Sequence, residues 1–166
     1  MTNDFLNEEM RQFLQENEFV YLASSDSSGR PYVVPKFLIK AESDSVYLAD
    51  FVIGRTAKNF EKNAQASFSI INMDSLIGYQ VSGVAEVLKQ GEKLDEILKH
   101  LHRREMHFSV ERIIEGVQLG KKHEHFEVAF PSRVAVIRMI VEEIVHLSPD
   151  GSTYKVSRKD THLEVA

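Results

Sequence analysis

Apolar positions along this 166-residue chain recur at two periods. Within residues 4–16, Phe5, Leu6, Met10, Phe13 and Leu14 fall at helical spacing with acids and amides between them, and Asn3 or Asp4 is placed to cap the start. The period then shortens. Residues 19–24 (FVYLAS), 32–40 (YVVPKFLIK) and 45–49 are β-branched and aromatic runs separated by turn clusters at 25–31 and 42–44, which predicts an antiparallel meander. Residues 55–63 predict a short helix with Ala57, Phe60 and Ala64 near one face. Residues 66–71 and 78–88 predict two further strands. From Glu92 to about Leu119 the pattern is helical again, with one stripe at Leu94, Ile97, Leu98 and Leu101 and another at Val110, Ile113, Ile114 and Val117. Residues 126–130 and 134–147 return to strand, broken by Pro131 and Ser132, and a polar tail follows from Ser148.

Two residues disturb the strands in an informative way. Pro35 lies inside the second strand, and a proline cannot donate to a ladder, so its position faces an edge, a bulge or a ligand. Gly83 in the fifth strand predicts a bulge or a close backbone approach. Short strands with helices after the third and before the last predict a mainly β chain with α (α+β), a closed or nearly closed antiparallel barrel with peripheral helices. The expected organisation is one domain over residues 1–148, a helical insertion at about 92–119, and a tail over 149–166, with no internal repeat.

Charge and composition narrow the function. A net charge of −5 argues against a non-specific nucleic-acid binder but leaves room for a small anion pocket. The absence of cysteine excludes disulfides, zinc–thiolate and iron–sulfur sites and thiol nucleophiles. The first residues carry acid where a signal peptide carries base, and no apolar run approaches the roughly 18 residues of a membrane span. A cytoplasmic protein with no membrane and no nucleic-acid partner is expected. The chain contains no Walker sequence, no GxGxxG and no nucleophile elbow.

Three segments in order carry a resemblance: strand, Gly29-Arg30-Pro31 turn and strand over 19–40; the helix Arg55-Thr56-Ala57-Lys58-Asn59-Phe60-Glu61-Lys62-Asn63-Ala64 running directly into a strand; and Gly78-Tyr79-Gln80-Val81-Ser82-Gly83-Val84-Ala85-Glu86. Together they resemble the pyridoxamine 5′-phosphate oxidase-like split-barrel superfamily, which includes small FMN-binding proteins, general-stress proteins and deazaflavin-binding relatives. The resemblance implies a Greek-key split β-barrel of about six strands that binds FMN non-covalently at the interface of a homodimer. It also implies hydride or electron transfer between a donor such as NAD(P)H and a small-molecule substrate. The chain lacks the C-terminal Arg/His-rich segment by which the oxidase holds pyridoxal phosphate, so synthesis of that product is not expected.

The same resemblance assigns candidate residues, and their chemistry suits the ligand. Arg55, Thr56 and Lys58 supply a guanidinium, a hydroxyl and an ammonium for the phosphate. Pro35, Lys36 and Phe37 would run beside the ring, with Lys36 placing positive charge at its N1–C2=O edge and stabilising anionic reduced flavin. Asp50, Phe51, Val52 and Ile53 would pass near the ring or ribityl chain. Gln80 and Ser82 share a strand face and would reach the flavin across the dimer interface. No residue is assigned as a general acid or base. Alternatives are a flavin-binding redox carrier without small-substrate turnover, a haem-binding or haem-degrading relative using one of the seven histidines, and a deazaflavin-dependent reductase. His100 and His102 point apart on a helix, while His123 and His125 would share a face if extended. No metal is expected.

Overall fold

The computed structural model describes residues 5–51, 54–118 and 133–158. Its elements are α1 (Glu8–Gln15), β1 (Phe19–Ser25), β2 (Pro31–Ala41), β3 (Ser45–Asp50), α2 (Arg55–Phe60), β4 (Gln65–Ile71), β5 (Gly78–Leu88), α3 (Glu92–Gln118), β6 (Ala135–Leu147) and β7 (Thr153–Ser157). Asn7 caps α1, its Oδ1 accepting from the Met10 N–H at 2.9 Å. The β1–β2 turn is organised by Asp26, whose Oδ1 accepts from the N–H groups of Ser28 and Arg30. Gly29 takes the left-handed φ of +80° that the turn requires. Helix α2 ends earlier than its apolar spacing predicts: the N–H groups of Lys62 and Asn63 both turn back to the Asn59 carbonyl.

All strand pairings are antiparallel, in the order β3-β2-β1-β4-β5-β6-β7, and β3 also pairs with β6. The six strands β1–β6 therefore close a barrel, and the α+β split-barrel expectation holds. Strand β6 makes this possible by changing partners. One edge follows β5 throughout; the other pairs with β3 through residues 135–140 and with β7 through residues 143–147. At the switch, the Val141 N–H donates to the Asp44 carbonyl. The segment after Ser148, expected as a polar tail, thus supplies a seventh strand. Its side chains are mostly exposed, so burial leaves no alternating signal in the sequence. It is held by its ladder and by Lys155 paired with Glu143 at 2.5 Å. The expected strand at 126–130, and His123 and His125, lie outside the described residues.

Gly83 sits at a β5–β6 register shift, as its place in the strand predicts. A Cβ there would lie 2.0 Å from the Ile140 carbonyl oxygen, so only glycine lets the bulged strand approach this closely.

The barrel interior is filled by Val20, Leu22, Leu38, Leu48, Phe68, Val81, Ile137 and Met139, among others. Helix α1 adds Met10 and Leu14 to that core; Leu6, just before the helix, joins them, and its N–H donates to the Ser43 carbonyl in the β2–β3 turn. Helix α2 lies at the opposite end, where Asn59 donates to the Ser24 hydroxyl and Asn63 to the Ser25 hydroxyl at the end of β1. A second core forms outside the barrel wall: Phe37, Ile39, Tyr47, Ala49 and Val136 pack under Ile97 and Leu101 of α3. The first apolar stripe of α3 is thereby used. Val110, Ile113 and Ile114 of the second stripe are exposed.

Candidate functional site

The barrel is split along β2. All of β2 from Pro31 to Phe37 pairs with β1, but pairing with β3 starts only at Phe37 and Ala49, so residues 31–36 present a free edge. The Leu38 N–H is spent on Glu18, on the β1 side. Alternation along an antiparallel strand then turns the backbone groups of Val33 and Pro35 toward the free edge. Pro35 has no N–H to leave there, which is the physical reason a proline is tolerated at that position.

Opposite this edge, the β3–α2 connection completes a cleft of about 370 Å³ lined by Phe19, Tyr32, Val34, Pro35, Lys36, Phe37, Ala49, Asp50, Phe51, Gly54, Arg55 and Thr56. Its volume falls within the roughly 300–1,000 Å³ of ligand pockets. Phe37 makes edge-to-face contacts with Phe19 at 5.7 Å and Phe51 at 6.0 Å, forming an apolar wall. Behind that wall the Arg104 guanidinium sits over Phe37 and Phe108 while donating to the carbonyls of Gln15 and Asn17, so α3 buttresses the cleft from outside. Burial holds the Arg104 pKa below its ordinary value.

The cleft has two polar ends. At one, Arg55 is exposed at the start of α2, its guanidinium 5.0 Å from the centroid of the Tyr32 ring, with Thr56 buried beside it. Gly54 precedes them and offers no side-chain acceptor to the first turn. At the other end, Lys36 Nζ meets Asp50 Oδ1 at 2.5 Å, with side chains only 8% and 1% exposed. Both lie where β2 and β3 part, Lys36 one residue before the β2–β3 ladder begins and Asp50 one residue after. Lys36 lies four residue steps along β2 from Tyr32, or roughly 13 Å at about 3.3 Å per step.

Of the sequence candidates, the cleft brings together Pro35, Lys36, Phe37, Asp50, Phe51, Arg55 and Thr56. Lys58 is exposed on α2 and is not among the lining residues. Val52 and Ile53 lie outside the described residues. Gln80 and Ser82 stand on the outer sheet face, opposite Ser69 and Ser67 of β4, and Ser82 shares a hydroxyl–hydroxyl bond with Ser67 at 3.0 Å. Phe19 and Tyr32 were legible only as strand residues; the strand register puts them in the cleft. Lys36, expected to bring positive charge to the ring edge of a bound flavin, is half of an ion pair with Asp50. Its partner lies 14 residues away, on the next strand, where spacing alone gives no signal. Among the described residues no cluster of three or more His, Asp or Glu side chains could hold a metal. No described helix is long and apolar enough to cross a membrane.

The family profile for pyridoxamine 5′-phosphate oxidase matches residues 6–144. The chain belongs to this family. Several solved structures share the fold. HupZ from Group A Streptococcus is 21% identical over 89% of this chain and 98% of its own, with a TM-score of 0.63. A Clostridium acetobutylicum protein related to general stress protein 26 of B. subtilis is 11% identical over 96% and 99%, with a TM-score of 0.61. HutZ, the haem storage protein from Vibrio cholerae, is 21% identical over 82% and 90%, with a TM-score of 0.55. At these identities they show the shared fold. No curated protein sequence matches the chain.

Proposed function

We propose that this member of the pyridoxamine 5′-phosphate oxidase family binds FMN non-covalently in the β2–α2 cleft and serves as an oxidoreductase. The observation that carries the reading is the cleft's polarity: an accessible guanidinium at one end, an aromatic wall, and a free strand edge leading to a second polar group roughly 13 Å away. FMN has the matching order of dianionic phosphate, polyol arm and flat ring. Arg55 and the Thr56 hydroxyl would take the phosphate. Phe19, Phe37 and Phe51 would exclude water beside the ring, and the edge groups of Val33 and Pro35 would read its polar rim. When bound, the flavin supplies hydride or electron transfer between a reduced nicotinamide or another donor and a small-molecule acceptor; the protein supplies position and electrostatics.

The cleft's open side favours a homodimer. Tyr21, Val33, Phe19 and Ile71 are 64%, 56%, 46% and 45% exposed on the outer face of β2, β1 and β4, and Phe19 also lines the cleft. A second copy seated on this face would bury the patch and cover the site. Gln80 lies in the same cross-strand row as Tyr21 and Ser69, so in such a dimer it and Ser82 would be offered to the partner's ligand.

HutZ raises haem as a second reading. Haem requires an axial ligand, and among the described residues lining the cleft only Tyr32 carries a customary ligating atom, beneath the Arg55 guanidinium. This favours flavin. Anaerobic mixing of the FMN-loaded protein with NADH or NADPH tests the enzyme reading. Bleaching of the flavin band followed by reoxidation with an acceptor supports it. A flavin reduced by dithionite yet idle with both nicotinamides would replace it with the carrier.

A further inference from the structure

The cleft holds two cationic side chains among its described residues, and the protein treats them differently. Arg55 is exposed and stacked on Tyr32. Lys36 is buried, and its ammonium is 2.5 Å from the Asp50 carboxylate. A lysine placed beside a bound ring would by itself stabilise negative charge on that ring. A carboxylate in contact with it cancels most of that field at any point farther away than the pair's own separation. Burying a charged pair is costly, and a well-packed apolar pair would occupy the position at similar or greater stability. The pair is therefore poor as a stabilising device, but it offers a compact, net-neutral group with donors on one side and acceptors on the other.

We propose that Asp50 is a tuning residue that masks the charge of Lys36, so that the ring end of the cleft is electrostatically neutral and does not favour an anionic reduced cofactor. The inference rests on the FMN reading above. Two-electron reduction of the ring can be accompanied by one proton, leaving an anion, or by two, leaving a neutral ring. Masking of Lys36 favours uptake of both protons. It also gives the cleft its directionality, because Arg55 is then the cationic lining residue left to hold an anionic group.

The test is the midpoint potential of FMN bound to the full-length protein, measured at pH 7 against a reference dye. Three forms are compared: wild type, Asp50→Asn, and the double variant Lys36→Met/Asp50→Leu. Asp50→Asn leaves Lys36 uncompensated and is expected to raise the potential by about 30 mV or more, a tenfold gain in preference for the reduced form. The double variant removes a neutral pair and is expected to keep the wild-type potential. An unchanged or lowered potential in Asp50→Asn overturns the proposal. So does a fall of about 30 mV or more in the double variant, because Lys36 would then be acting as a full cation despite Asp50. If Asp50→Asn does not fold, the double variant decides alone. Failure of the wild type to retain FMN overturns the cofactor reading and this inference with it, whereas retention with the wrong shifts overturns only the inference.

Discussion

Arg55→Ala separates a phosphate ligand from an ordinary surface charge. A hydrogen bond to a charged group contributes about 1.5–3 kcal/mol. Arg55 is exposed, so water competes for its donors. Its stacking on Tyr32 is present with or without ligand and largely cancels from the binding difference. Both considerations place the loss in the lower part of the range, about 1.5–2 kcal/mol, or a 10- to 30-fold weaker Kd for FMN at about 1.4 kcal/mol per decade. Riboflavin has the same ring and ribityl arm without the phosphate, and its Kd should change by less than about twofold. Quenching of flavin fluorescence on titration with protein measures both constants in one buffer. Equal weakening of the two ligands would refute the assignment, because Arg55 would then be shaping the cleft through Tyr32 rather than holding a phosphate. Raising ionic strength should narrow the FMN difference and leave riboflavin unchanged.

Other expectations concern the scaffold. Gly83→Ala drives a Cβ into the Ile140 carbonyl at the β5–β6 bulge and should cost about 1–3 kcal/mol or more, read as a melting-temperature fall of about 2–4 °C per kcal/mol. Ile97→Ala removes the fully buried anchor of α3 from the second core and should cost about 2–5 kcal/mol in urea unfolding. Tyr21→Glu, at the most exposed part of the outer-face patch, should shift sedimentation from dimer to monomer and weaken FMN binding; an unchanged sedimentation profile would remove that face as the interface. The Lys40–Glu42–Lys93–Glu96 network joins β2 to α3 and carries a pH dependence. Hydrogen bonds from Lys40 and Lys93 hold the Glu96 pKa down at about 2 from 4.5. A depressed carboxylate stabilises the fold above its unfolded pKa, and this is lost as pH falls through the folded value. Glu96→Gln should therefore melt below wild type at pH 6, with the gap closing between about pH 4.5 and 2; a gap unchanged across that window would show that the network does not contribute.

Much of the fold was legible because burial writes itself into the strands. The alternation in β1 and β4 and the bulge at Gly83 reflect one side chain facing the core and the next facing out. The expected strands that fall within the described residues match β1 to β6 for the same reason. Strand β7 was invisible because neither of its faces is buried, so the ladder that forms it imposes no pattern on its side chains. The site was legible in part. Arg55 and Thr56 stand out as polar groups at a helix start, and Pro35 betrays a free strand edge. The contacts that set the site's character were not legible, because they join residues brought together by register. Lys36 meets Asp50 across β2 and β3, Arg55 lies over Tyr32, and Arg104 of α3 supports Phe37 from behind. Gln80 and Ser82 share a face, as their spacing implies, but that face lies across β1 and β4 from the cleft of their own chain.

FMN binding is tested most directly by the visible absorption spectrum of the purified protein, incubated with FMN and passed through gel filtration. A flavin band should co-elute with protein at about one FMN per subunit, shifted from that of the free cofactor by the aromatic wall of the cleft. Protein that emerges colourless after FMN, or that retains haem with a Soret band in its place, would contradict FMN binding.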